Sequence, residues 1–361
     1  MHVAFLLFPS VLRSKRTAFP ARLKSVMRNK NLYSIVALAA LTLCARLSFA
    51  DKKPPPAPTG TLATAIRETL LFTSADEGSE RLANINPGRE MVIVERNGDW
   101  LRVFANTDIE ESHAQDAPIF GAGAAPPPIS GWTRAKGVIA ADTTNGDEAL
   151  FGIAANVEEL ASEPHPPKTA AQEARLLYRR VAEMFPQSKY AGQAAWRAAD
   201  IGWQLKKEDV FSLPSAHEKE NYLREQIDDT EMKKIEKKYP GTRWADLAAY
   251  DMLDNKICGD WQGSEKCPEK ESELYVKYAD DHPESPKAAE ALYKAAWRQA
   301  SAADMYSADN EDKKSEQARA RAKELAERLQ AKYPQTDYAP RAAGLVYKLE
   351  QGIPVYGVDR E

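Results

Sequence analysis

Four residue pairs punctuate the second half of this 361-residue chain: Phe185-Pro186, Tyr239-Pro240, His282-Pro283 and Tyr333-Pro334. Each ends a stretch of helical periodicity, and each is followed by another. Proline lacks the amide that a helix interior uses and drives the preceding residue out of the α region, so every pair is a stop signal. Aligned on the proline, the segments share more than the stop. Two residues on stands a hydroxyl (Ser188, Thr242, Ser285, Thr336), suited to N-cap a second helix. Four on stand Tyr190, Trp244, Lys287 and Tyr338. Alanine recurs five on (Ala191, Ala245, Ala288, Ala339) and eight on (Ala194, Ala248, Ala291, Ala342). The aromatic ending the first helix and the one four past the proline are expected to pack across the turn, while the alanines let two helices approach closely. The pattern predicts four helix hairpins. First helices run over 169–185, 216–239, 269–282 and 312–333; second helices run over 188–205, 242–256, 285–304 and 336–350. Hairpins stacked this way bury apolar surface only against their neighbours and leave an extended face for holding other molecules.

Composition narrows the function classes. Hydrophobic residues make up 43% of the chain, enough for a packed core. The formal net charge of -4 conceals an asymmetry, because residues 1–50 hold eight Lys/Arg and no acidic residue. The remainder carries 41 basic against 53 acidic residues, a net of -12. That balance argues against nucleic-acid binding and against adhesion of the body to anionic lipid. The first 50 residues read as an N-terminal extension and signal peptide: Arg28 and Lys30 precede an apolar stretch over 32–45, and Ser48-Phe49-Ala50 forms a small-residue cleavage site. Asp51 is then the expected first residue of an exported, periplasmic or envelope-associated protein, and the layout favours Met27 over Met1 as the start. An uncleaved anchor is the alternative. Leu41-Thr42-Leu43-Cys44 resembles a lipobox, although Leu43 is not small. Membrane attachment is expected only through lipid on Cys44 or an uncleaved signal.

Cys258 and Cys267 lie nine positions apart in a polar loop, CGDWQGSEKC. In an oxidising compartment they are expected to form a disulfide. Free thiols are the alternative; two cysteines without a nearby histidine make a poor metal site.

Upstream of the repeats the character changes. Residues 51–60 are a Pro-rich leader, and residues 61–142 carry short alternating, β-branched runs. Asn97-Gly98 between two apolar runs suits a tight hairpin. Residues 106–130 read as an insertion, residues 143–168 as a linker with a short helix over 147–161, and residues 351–361 as a C-terminal tail. The order Ile66-Arg67, Pro87-Gly88, Asn97-Gly98-Asp99-Trp100 and Gly131-Trp132 resembles the bacterial SH3-like (SH3b) domain over about 80 residues. Ala65-Ile66-Arg67-Glu68 departs from that family's usual first strand, and the insertion before Gly131 is atypical. The resemblance implies a small barrel whose exposed aromatics, here Trp100 and Trp132, contact peptide or cell wall. The four hairpins resemble tetratricopeptide-like repeats, in particular those of periplasmic and outer-membrane assembly proteins. Their spacings of 54, 43 and 51 residues exceed the usual period of about 34. Lys287 also departs, standing where the other segments have an aromatic.

The expected fold class is therefore α+β multidomain: a small SH3-like β-barrel over 61–142, then an α-helical TPR-like hairpin solenoid over 169–350. Sequence motifs for hydrolase or nucleotide chemistry are missing, and none of the five histidines sits at ligand or triad spacing from a cysteine or carboxylate. Asp228-Asp229 and Asp280-Asp281 read as solvated faces, and Trp196, Trp203, Trp244 and Trp297 mainly as core. No enzyme activity, cofactor or metal is expected. The first expectation is an envelope adaptor that binds partner proteins or peptides. The second is a peptidoglycan-binding module with the repeats as spacer; a cell-wall hydrolase using Cys258 or Cys267 is the third.

Overall fold

The computed structural model describes residues 58–106 and 128–357. The expected signal peptide, Cys44, most of the Pro-rich leader and most of the expected 106–130 insertion lie outside the described residues. The architecture is mixed α+β. Seven antiparallel strands come first: β1 (Thr61–Ala65), β2 (Thr69–Phe72), β3 (Arg81–Ile85), β4 (Glu90–Asn97), β5 (Trp100–Ala105), β6 (Ile129–Arg134) and β7 (Val138–Ala140). They form one sheet in the order β3-β2-β6-β5-β4-β1-β7. The sheet is open: β3 and β7 are its edges, and no ladder joins them among the described residues. Alternation along β5 turns Leu101, Val103 and Ala105 into a core shared with Ala63, Leu71, Ile85, Met91 and Ile93. The hairpin falls one residue later than the Asn-Gly pair suggests. Asn97 pairs with Trp100 in the ladder, leaving Gly98 at φ 55° as the first central residue of the turn.

Nine α-helices follow among the described residues: α1 (Gly146–Ala161), α2 (Ala170–Met184), α3 (Ala191–Phe211), α4 (Thr230–Lys238), α5 (Arg243–Asp251), α6 (Lys266–Asp281), α7 (Ala288–Ala308), α8 (Asp312–Lys332) and α9 (Tyr338–Glu350). The four joints share one backbone geometry. Phe185, Tyr239, His282 and Tyr333 end their helices at φ between -126° and -128° and ψ between 50° and 59°. The alanines eight past each proline are all 0% exposed, as close helix approach requires.

Three details of the joints differ from the expectation. The hydroxyls do not cap the second helices. Ser188 and Ser285 accept the N–H two residues on, within the turn, while Thr242 and Thr336 donate back to the carbonyls of Tyr239 and Tyr333. They hold the turn: α3 and α7 start at the third residue after the hydroxyl, α9 at the second, and only α5 at the first. The aromatics four past the proline do not pack across the turn either. Trp244 stacks on Trp196 and Tyr338 packs on Tyr293, each the residue ten past the preceding proline. Lys287 follows the same rule, its ammonium 5.3 Å above the ring of Tyr250. The lysine keeps the interface that an aromatic forms elsewhere. The residue before the proline leans on the previous joint: Tyr239 donates to Ala191 O, Tyr333 to Pro283 O, and His282 pairs with Asp246 at 2.8 Å.

The third difference is the helix expected over 216–239. Only Thr230–Lys238 is α-helical; Pro214–His217 and Asn221–Leu223 are single 3-10 turns in otherwise extended chain. Tertiary hydrogen bonds outcompete the helix here. The Asn255 amide accepts the Ile227 N–H at 3.0 Å and donates to the Ile227 carbonyl at 2.8 Å. Arg224 donates to Ile257 O, and Gly259 N–H bonds to Glu218 O.

Sheet and helices meet directly. The turn at Gly88 (φ 77°) abuts α2 so closely that a Cβ there would lie 2.5 Å from Leu176 Cβ. Arg180 donates from Nε to the Gly88 carbonyl at 3.0 Å. Ile139 of β7, Leu150 and Ala154 of α1, and Leu177 and Val181 of α2 share one buried cluster.

Candidate functional site

The sheet sets the two tryptophans on its outer face. Trp100 lies opposite Arg134, Arg102 opposite Trp132, and Phe72 opposite Trp132, and cross-strand partners share a face. Trp100 is only 8% exposed. Its ring meets Phe72 edge-on at 5.6 Å, and the Arg134 guanidinium lies 4.3 Å above its centroid. Arg134 is held in turn by Glu77 at 2.9 Å. Trp100 is thus largely engaged within the protein, while Trp132 is half-buried and offers the more accessible aromatic edge.

The sulfurs of Cys258 and Cys267 stand 2.15 Å apart, and both cysteines are buried. Glu271 fixes the loop between them. One carboxylate oxygen accepts the Cys258 N–H and the Trp261 indole N–H, each at 3.0 Å; the other accepts Arg298 Nε at 2.6 Å. Trp261 packs between Trp297 and Tyr356. This is a structural clamp, with every polar group on Glu271 satisfied.

A concavity that was not legible in the sequence runs along the first two hairpins. Three clefts of about 220, 390 and 220 Å³ run along α2, α3 and α4. The first two share Gln172 and Leu205; the second and third share Arg175, Ala199 and Glu231, so they form one groove. Ala199, Leu205, Ile227 and Met232 supply apolar lining. The charges on its walls mix both signs: Arg175, Lys206 and Lys234 against Asp209, Asp228 and Glu231. Gly202 keeps the groove open, since a Cβ there would lie 2.6 Å from Arg175 Nε. The extended segment before α4 contributes Ile227 and Asp228, so the departure from helix noted above builds one wall.

Two ionisable clusters flank the second hairpin. Burial first, and then the neighbouring carboxylates Asp200 and Asp254, push the Asp251 carboxyl up to about 7. Asp254 accepts from Trp203 Nε1 at 3.2 Å and from Lys207 at 2.8 Å. At Glu290 burial acts to raise the pKa, but Lys287, Lys294 and the Tyr250 hydroxyl outweigh it and hold the carboxyl at about 2. Burial and Glu290 push the Tyr250 hydroxyl well above the ordinary tyrosine range. Folding also gives two histidines carboxylate partners that their spacing did not reveal: His217 Nδ1 to Asp260 at 3.1 Å and His282 Nδ1 to Asp246 at 2.8 Å. Neither imidazole meets a hydroxyl or thiol nucleophile among the described residues. Among these residues no group of three or more His, Cys, Asp or Glu is placed to hold a metal ion, and no helix is long and apolar enough to cross a membrane.

No protein-family model matches the chain, and no curated protein matches it. Among solved structures it is similar to a chain described as "DHF79 filament", at 14% identity over 55% of this chain and 95% of that one, with a TM-score of 0.20. An overlap that loose carries no argument about fold or function.

Proposed function

We propose that the chain is a non-catalytic adaptor of the bacterial cell envelope, in which TPR-like helix hairpins hold a partner protein or peptide and an SH3-like sheet makes a second contact. The observation that carries this reading is the continuous groove along α2, α3 and α4, with apolar lining between walls of mixed charge. An extended peptide would bury apolar side chains against Ala199, Leu205 and Met232 while its charged groups meet the walls. The repeated joint supports the TPR-like assignment, because the same φ and ψ recur four times with an alanine fully buried at the same offset. The outer face around Trp132 is the second surface, for cell-wall peptide or protein. Export, by the basic and apolar N-terminal segment, brings the adaptor to its compartment.

Photo-crosslinking in living cells tests the reading. A crosslinker at Lys206 or Lys234, on the groove walls, is expected to capture a discrete envelope protein; one at Lys313 or Lys332 is not. Equal capture from all four positions, or from none, ends the groove reading. Sedimentation of the chain with purified cell-wall sacculi, and its loss on Trp132→Ala, reads the second surface separately.

A further inference from the structure

We propose that the cleft between the turn at residues 86–89 and the start of α2 is a binding site for a single carboxylate group. Its walls are Asn86, Pro87 and Arg89 from the turn, and Lys168, Gln172 and Glu173 from the helix entry. Arg89 is the decisive residue. It is 7% exposed, yet its Nε has no acceptor, and no acidic side chain pairs with it among the described residues. A buried guanidinium N–H without an acceptor is costly, and a cation so placed at the wall of a cleft favours an anion as its partner. Gln172 adds a second buried donor without a partner, its Nε2. The backbone that carries Arg89 is fixed: Thr64 Oγ1 donates to its carbonyl at 2.9 Å, and its own N–H bonds to Asn86 O at 3.3 Å.

The helix contributes the same sign of field. The first turn of α2 opens onto this cleft, and Thr169 makes no side-chain cap there. The positive end of the helix dipole is therefore unshielded by a capping oxygen. Lys168 adds an exposed cation at the mouth. Glu173 sets the charge limit. Its carboxylate lies on the same wall, so a dianion such as phosphate meets repulsion that a monoanion meets only half as strongly. A carboxylate also matches the planar fork of a guanidinium. A volume of about 220 Å³ has room for a carboxylate-bearing chain end or side chain.

The test uses the isotope-labelled full chain and three probes: N-acetylglycine, its neutral amide and inorganic phosphate. N-acetylglycine is expected to give saturable NMR shifts at the Arg89 Nε–H and the Gln172 side-chain amide. Phosphate should bind about tenfold more weakly and the amide not measurably. Arg89→Gln should abolish the response. If that variant melts early, Lys168→Met at the exposed rim reads the same site, with about threefold weaker binding and unchanged melting. No saturable shift with N-acetylglycine, or an equal response to its amide, overturns the proposal. Tighter binding of phosphate overturns the carboxylate assignment. The cleft is the end of the groove that meets the sheet, and its test is separable from the groove's: failure with N-acetylglycine leaves crosslinking from Lys206 and Lys234 standing, and the reverse holds too.

Discussion

The second and third hairpins carry the same joint and differ in almost everything behind it. Tyr239 and His282 end their helices at nearly the same φ and ψ. Yet α4 and α5 have nine residues each, against 16 in α6 and 21 in α7. α4 buries Met232 and Ile235, whereas α7 buries Ala291, Leu292, Ala295, Ala296, Trp297 and more along its whole length. The polar groups divide in the same way. Glu271 and Arg298 of the third hairpin form a buried, hydrogen-bonded pair, while in the second hairpin Asp251 and Asp254 lie near each other and near Asp200 of α3. The comparison separates two jobs. The joint sets how two helices meet; helix length and burial set how firmly the pair is held. The groove lies on the loosely held side.

The largest expected effect lies in the firm hairpin. Glu271→Ala removes the acceptor of Arg298 Nε, the Cys258 N–H and the Trp261 N–H in a buried site and should cost about 3–5 kcal/mol, read by urea unfolding. Asp254→Ala in the second hairpin should cost about 1 kcal/mol, and equal losses would erase the contrast. A finer test places the same change at the same repeat position. Ala291→Leu should cost about 1–3 kcal/mol by overpacking, and Ala248→Leu less, because its nine-residue helix can shift. Equal midpoints for the two variants would argue that the second hairpin is as rigid as the third.

The third prediction is a pH dependence. The folded-state pKa of Asp251, about 7, lies above its unfolded value of about 3.9. The folded protein therefore binds a proton that the unfolded chain releases. This contribution is fully present below about pH 4 and is lost as pH rises toward 7. Asp251→Asn should flatten that slope and raise stability at pH 8 by about 1–2 kcal/mol, discounted for partial solvent access. A slope unchanged in the variant would assign the titration elsewhere. The smallest effect is Gly202→Ala. Relieving a helical glycine should add about 0.5–1 kcal/mol, while the new methyl displaces Arg175 and weakens crosslinking from Lys206. Weaker crosslinking without loss of stability would tie the groove, rather than the fold, to the partner.

The joints were legible because their physics is local: a proline, a hydroxyl and two alanines act within eight residues of one another. The short strands and the turn at Gly98 were legible for the same reason. The extended segment before α4 was not, since Asn255 and Ile257 hold it from about 30 residues away. Lys287 looked like a break in the pattern until its position over Tyr250 showed the shared stacking rule. The groove and the Arg89 cleft combine three or more separate stretches of chain, and no spacing along the sequence announces them. The cysteine loop was readable, but its keystone Glu271 was not, because a lone glutamate in a helix ordinarily faces solvent.

The close seating of Gly88 on α2 means that the sheet and the first hairpin carry no slack between them. A ligand long enough to touch both would find its two footprints already at a fixed separation. It would gain the full benefit of bivalency without a tether to order first. Under the proposed adaptor function such a protein would act as a caliper: it would select ligands by span as well as by chemistry, and one residue bulkier than glycine at position 88 would change the gauge.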